Sequence, residues 1–175
     1  WSQCTRCDLS QTAKKHVLFR GRIPCQFLLV GDAPGEVENV LGVPFTGPIG
    51  KELDLWLDQA QEQTGPVSIG VTNLVACIPW KDATEHTGTR LPEPTEYKAC
   101  LPRIGELIDM CQPKGVIFFG DVQAMTLQHR IHSSFLHNPA SIIRQRISNP
   151  QLANTTAKKA VLHLIEFINS TVLYT

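Results

Sequence analysis

Along the first two thirds of the chain, short apolar runs alternate with stretches whose apolar residues recur at helical spacing. This alternation constrains the fold more than any other feature. Gln26–Val30 (QFLLV) is an apolar run closed by Gly31, the pattern of a buried strand. From Pro48 the period changes: Ile49, Leu53, Trp56, Leu57 and Ala60 share one helical face, and Gly65-Pro66 stops the helix. Val67–Val75 predicts the next strand. Tyr97, Leu101, Ile104, Leu107, Ile108 and Cys111 return to helical spacing, and Pro113-Lys114-Gly115 separates that helix from the run Val116–Phe119. Strand, helix, strand, helix, strand predicts an α/β fold on a parallel sheet. Further helices are expected near Asp121–His129 and Thr156–Asn169, the second apolar at Val161, Leu164, Ile165 and Ile168. With 175 residues the chain can bury one real core but is short for two, so residues 1–175 read as a single domain.

Sixteen Lys+Arg against sixteen Asp+Glu, with 42% hydrophobic and 18% charged residues, exclude a disordered acidic or basic chain. Net charge alone therefore gives no support for nucleic-acid binding. No apolar run approaches the ~20 residues that span a bilayer, and no charged-then-apolar leader precedes the first strand-like segment. The chain reads as soluble and cytoplasmic, and as a monomer.

The six cysteines carry more information. Without a secretory leader they favour metal ligation over a disulfide framework. Cys4 and Cys7 form a C-x2-C whose short loop can direct both thiolates to one point, and Cys77 and Cys100 come from distant segments. Four such ligands suit either a tetrahedral zinc or an iron–sulfur cluster. Cys25 and Cys111 stand apart.

Open α/β sheets bind ligands outside the carboxyl ends of their strands. Three loops leave those ends: Gly31–Gly50, Asn73–Pro94, and the stretch from beyond Phe119 to Asn138-Pro139. Gly31–Gly50 carries five Gly and three Pro and is expected to be a structured loop rather than helix. It is no dinucleotide fingerprint, because its glycines do not open directly into a helix at the required spacing. Asp32-Ala33-Pro34-Gly35 is instead a stiffened turn, followed by a second at Pro44-Phe45-Thr46-Gly47, and such a loop can hold carboxylates and one aromatic in fixed positions.

The sequence here resembles the iron–sulfur uracil-DNA glycosylases, the family 4 branch of the uracil-DNA glycosylase superfamily. The matching features are the loop GDAPGEVENVLGVPFTGPIG, the strand end Thr72-Asn73 four residues before Cys77, the order Cys4, Cys7, Cys77, Cys100, and a proline motif near the carboxyl end. Together they cover about residues 4 to 144. The resemblance implies a three-layer α/β/α fold on a short central parallel sheet and a structural [4Fe-4S] cluster on the four cysteines. It also implies hydrolysis of the N-glycosidic bond of uracil in single- or double-stranded DNA. That reaction needs the base unstacked into a pocket, read on its polar edge and stacked on an aromatic. Asn73 carries the donor and acceptor that match uracil O4 and N3–H, where cytosine offers the reverse pattern. Phe45 is the aromatic, and Ala33 and Gly35 belong to the base-binding loop. Bond cleavage develops positive charge on the sugar and negative charge on the base. Asp32 and Glu38 are the carboxylates expected near the sugar, with water as nucleophile.

The chain departs from the family at several positions. Asp32 stands where Glu is usual and Asn39 where Asp is usual. In Leu136–Arg144 (LHNPASIIR) the proline register puts Asn138, not histidine, before Pro139, as in the mismatch-specific uracil glycosylases, with His137 one residue away. Asn138, with His137 as fallback, is the expected donor to uracil O2. The stretch from Phe119 to His137 is shorter than the family uses for a strand pair, which points to a truncated sheet. The longer loop between Cys77 and Cys100 holds His86, read as a solvated loop histidine. Basic residues that could meet phosphates are Lys14, Lys15, Arg20, Arg22, Lys81, Arg90, Arg130, Arg144 and Arg146. The alternative reading is a non-catalytic iron–sulfur DNA-binding or replication-associated module of the same fold, and the three substitutions favour it.

Overall fold

The structure is a computed structural model that describes residues 1–119 and the backbone of 141–144. The expected strands form where the apolar runs lie: β2 is Phe27–Gly31, β3 is Ile69–Asn73 and β6 is Gly115–Phe118. They pair in parallel, with β2 in the centre between β3 and β6. Between them run the two long helices α3 (Pro48–Thr64) and α4 (Pro94–Cys111).

The order of layers follows from strand alternation. Leu28 and Val30 of β2, with Val116 and Phe118 of β6, pack against Tyr97, Ile104 and Leu107 of α4. Phe27 and Leu29, with Val71 and Ile117, pack against Leu53, Trp56, Leu57 and Ala60 of α3. One helix thus covers each face, and the fold is α/β/α. Leu28 and Leu29 are both fully buried, and each contributes about 2 kcal/mol of hydrophobic stabilisation on opposite sides of the sheet. Both helices begin with proline at the first turn, where its missing N–H costs nothing. A capping box between Glu93 and Glu96 adds to the start of α4, and Gly65 at φ 84° ends α3.

Other elements differ from the sequence expectation. Inside the Gly/Pro-rich loop, Glu36–Leu41 forms a short helix, α2, bounded by Gly35 and by Gly42 at φ 80°. The two glycines that argued for a loop are its caps. Lys81–Pro94 is not a plain loop, because β4 (Trp80–Asp82) and β5 (Thr87–Thr89) pair as an antiparallel hairpin. His86 at the hairpin's turn has φ 52°, and its ring lies 5.7 Å from that of Trp80. Near the amino terminus are the one-turn helix α1 (Leu9–Thr12) and a two-residue edge strand β1 (Arg20–Gly21), antiparallel to β3. A further strand, β7 (Ser141–Arg144), pairs in parallel with β6, giving the order β1-β3-β2-β6-β7; residues 120–137, where the sequence predicts a truncated sheet, lie outside the described residues. The predicted helices near Asp121–His129 and Thr156–Asn169 lie outside the described residues. Among the described residues, no helix is long and apolar enough to cross a membrane.

Candidate active site

The central strand β2 sends its chain into the Gly31–Gly50 loop at the sheet's carboxyl end, and β3 ends beside it with Gly31 in register with Asn73. A cleft of about 430 Å³ opens there. Asp32, Ala33, Gly35, Glu38, Phe45 and Asn73 all border it, so six sequence-predicted residues come together. The side chains of Phe45 and Asn73 converge on Gly31. A methyl group at Gly31 would lie 2.5 Å from the Asn73 amide oxygen and 2.6 Å from the tip of the Phe45 ring. Glycine at this position is what lets the aromatic and the amide share the cleft floor. Asn73 is only 2% exposed, and Phe45 also packs against Phe119, ring centroids 6.4 Å apart.

Phe45 holds φ 54°, an uncommon backbone for a bulky residue. Two contacts impose it. Glu38 Oε1 accepts hydrogen bonds from Thr46 N–H at 3.1 Å and Gly47 N–H at 2.9 Å, tying α2 to the turn that carries Phe45. Gly50 lets α3 press against the same turn, because any Cβ there would meet the Phe45 carbonyl oxygen at 1.9 Å. Glu38 is therefore engaged in holding the loop. Asp32 is partly exposed at the cleft edge, and Tyr97 Oη donates to its Oδ1 at a long 3.4 Å. Tyr97 was legible only as an apolar position on a helix face. Asn39 does not border the cleft; it is 1% exposed, and its Oδ1 accepts from Lys14 N–H at 2.9 Å. The Asn39 amide anchors the amino-terminal segment to α2. His137 and Asn138 lie outside the described residues.

The hairpin forms the opposite wall through Thr89, Arg90 and Leu91. Arg90 is no free phosphate ligand: it makes a two-pronged pair with Glu96 at 2.9 and 2.8 Å. Burial pushes the Glu96 carboxyl up, but the Arg90 hydrogen bond and the Glu93 N–H outweigh it and leave the pKa below the usual carboxylate range. Arg20 pairs likewise with Asp54 at 2.6 Å. Arg20 and Arg22 flank a larger groove of about 740 Å³ that also holds Asp54 and Asp58. It runs past Ser68 and Ile69, at the amino end of β3, so it is not where an open sheet places its chemistry.

The four cysteines lie on the amino-terminal segment, on the chain after β3 and on α4. Cys77 and Cys100 are buried, and Cys4 and Cys7 are half-buried. Burial pushes the Cys77 thiol up to about 12, and the neighbouring Cys100, Cys7 and Cys4 push the same way. Burial likewise raises Cys7, with Cys100, Glu96 and Cys4 adding to it. Cys77 thus senses each of the other three thiols, although no three His, Cys, Asp or Glu side chains among the described residues gather closely enough to hold a single metal ion. Arg103, one turn beyond Cys100, is 4% exposed, and its Nε is buried without a hydrogen-bonding partner. Burial disfavours the charge on this guanidinium, and the Cys100, Cys77 and Cys4 sulfurs favour it. A guanidinium with an unpartnered Nε–H that senses three of the thiols is the chemistry that a thiolate-bound, negatively charged group would complete. Cys25 and Cys111 share a thiol hydrogen bond elsewhere in the core.

A three-layer α/β/α sheet with an aromatic and a buried amide facing one cleft at its carboxyl end defines a protein that can read a planar polar ligand by stacking and hydrogen bonding. The chain belongs to the uracil-DNA glycosylase superfamily, whose model matches residues 20–166. It is similar to the type-4 uracil-DNA glycosylase of Pyrobaculum aerophilum, with 32% identity covering 71% of this chain and 59% of that protein. It is also similar to those of Saccharolobus solfataricus, at 30% identity over 67% and 51%, and Sulfurisphaera tokodaii, at 32% over 67% and 50%. The chain therefore spans between half and three fifths of the length of these relatives.

Proposed function

We propose that this chain is a DNA-repair glycosylase that hydrolyses the N-glycosidic bond of uracil flipped out of single- or double-stranded DNA. The observation that carries the reading is the convergence of Phe45 and Asn73 over Gly31 at the cleft floor. Phe45 supplies the stacking face, and the Asn73 amide pairs with O4 and N3–H of uracil. Asp32 orients the attacking water and stabilises the positive charge developing on the sugar. Glu38 acts by fixing the Phe45 turn, since its Oε1 already serves two backbone N–H groups. Ala33 and Gly35 wall the cleft. The donor at uracil O2 is assigned to Asn138, with His137 the alternative, on the proline register alone.

Cys4, Cys7, Cys77 and Cys100 hold a [4Fe-4S] cluster in this reading. A thiolate-only ligand set suits an iron–sulfur cluster, and the four cysteines come from the amino-terminal segment, the chain after β3 and α4. When bound, the cluster cross-links the amino-terminal segment to α4 and to the chain after β3. An all-thiolate cluster leaves no open position for hydrolysis. The protein is proposed to work as a cytoplasmic monomer.

Incubation of the purified protein with single- and double-stranded uracil-containing oligonucleotides, followed by alkaline cleavage, tests the reading. Strand scission at uracil is expected. Intact strands from iron-loaded protein that still binds the oligonucleotides would establish the non-catalytic DNA-binding module instead.

A further inference from the structure

The two cysteines outside the proposed cluster site meet in the core. Cys25 lies just before β2 and Cys111 is the last residue of α4, and the Cys25 N–H donates to the Cys111 carbonyl at 3.0 Å. Standard bond lengths around that hydrogen bond keep the two Cα atoms within about 7 Å, the span a disulfide can bridge. The thiols are hydrogen-bonded to each other, so the side chains turn together rather than apart. Gly70 of β3 fixes the Cys25 sulfur from the other side, since an added Cβ there would lie 2.9 Å from Sγ. Both thiols are free and buried, at 4% and 0% exposure, but their chain neighbours Pro24, Met110 and Gln112 are exposed. The pair therefore sits one residue below the surface, where a small local opening uncovers it.

We propose that Cys25 and Cys111 form a reversible disulfide that ties the carboxyl end of α4 to the chain entering β2. The oxidant is a low-molecular-weight disulfide. Cys25 gives up its proton and attacks one sulfur of that disulfide, whose S–S bond breaks and releases one thiolate, which takes the proton. Cys111 then loses its proton and attacks the Cys25 sulfur of the mixed disulfide, displacing the second thiolate. Two protein thiols lose two electrons, and one small disulfide becomes two thiols. Hydrogen bonds from Cys111 and from the Gly70 N–H outweigh burial and lower the Cys25 thiol below its ordinary value, which suits it to the first attack. The closed loop contains β2, α2, α3, β3, the hairpin and α4, and with them every residue that borders the cleft. Neither sulfur belongs to the cleft or to the four proposed cluster ligands, so the tie stands or falls independently of both.

The test uses the whole protein, purified under argon and equilibrated with oxidised glutathione. It is then denatured with iodoacetamide present and digested with trypsin without reductant, which leaves Cys25 and Cys111 on separate peptides that hold no other cysteine. Mass spectrometry should find those two peptides joined in most molecules, and dithiothreitol should part them. Closing so long a loop removes conformations from the unfolded chain, so the oxidised protein should melt about 5 °C or more above the reduced one. In Cys111→Ala, Cys25 should stop at the mixed disulfide with glutathione, with no such rise. Carbamidomethylated Cys25 and Cys111 in oxidised wild type, Cys25 joined to any other cysteine, or an equal rise in Cys111→Ala would each overturn the proposal. If Cys111→Ala does not fold, the wild-type peptide map decides by itself.

Discussion

Gly31→Ala is the most revealing single change, because it touches the geometry of the pocket and none of its chemistry. Gly31 is the last residue of β2 and needs no left-handed backbone, so any effect of a side chain there comes from contact alone. The added carbon would lie 2.5 Å from Asn73 Oδ1 and 2.6 and 2.9 Å from the Phe45 ring. Ordinary carbon contact begins near 3.5 Å, so the ring must retreat by roughly 0.9 Å. Phe45 has little room to do so, since Phe119, the Glu38 hydrogen bonds and Gly50 hold its other sides. Overpacking of this kind costs about 1–3 kcal/mol of stability. A displacement of about 1 Å at a reacting site costs about 10² in rate. Urea denaturation and single-turnover uracil excision measure the two effects separately. Gly65→Ala is the control: it strains a residue at φ 84° with no atom within 4 Å, so it should lower stability by about 1–2 kcal/mol and leave excision unchanged. Wild-type excision from Gly31→Ala would refute the convergence of Phe45 and Asn73 on which the site rests.

Glu38→Ala should cost about 1–3 kcal/mol in urea denaturation by stranding the N–H groups of Thr46 and Gly47, whereas Glu38→Gln keeps an acceptor oxygen and should lose less than half as much. Glu96 has a depressed pKa in the folded protein, so the stability it adds is present above its unfolded value and is lost as pH falls through the folded one. The melting-temperature gap between wild type and Glu96→Gln, equivalent to about 1 kcal/mol for a partly exposed pair at pH 7, should close below about pH 4. Anaerobically purified protein should be brown with about four iron per chain, as the four-thiolate cluster requires. Colourless protein with one zinc would replace the cluster with a tetrahedral site.

Much of the fold was legible because burial wrote it twice, as apolar runs in β2, β3 and β6 and as helical periods with proline starts in α3 and α4. The cleft was legible because a loop with fixed turns must carry Gly and Pro where the backbone approaches other atoms, as Gly31 and Gly50 do. The same signal concealed α2, whose caps are the glycines that read as loop. β1 and the β4–β5 hairpin are too short to show a period. The roles of Glu38, Asn39 and Arg103 depend on partners far along the chain, and a charged residue in a helix ordinarily reads as solvated. Arg103 left one trace: it follows Cys100 by three positions and adjoins Ile104, which puts it on the face that the core claims.

The central claim is that Asn73 selects uracil, and base choice by Asn73→Asp tests it most directly. Replacing the amide donor with a carboxylate acceptor opposes O4 of uracil with a like group and admits the amino group of cytosine. In single-turnover assays on matched oligonucleotides, Asn73→Asp should lose at least tenfold in uracil excision, the consequence of about 1–3 kcal/mol for a mispaired buried group, with any gained activity directed at cytosine. Full uracil excision by both Asn73→Asp and Asn73→Ala would contradict the account.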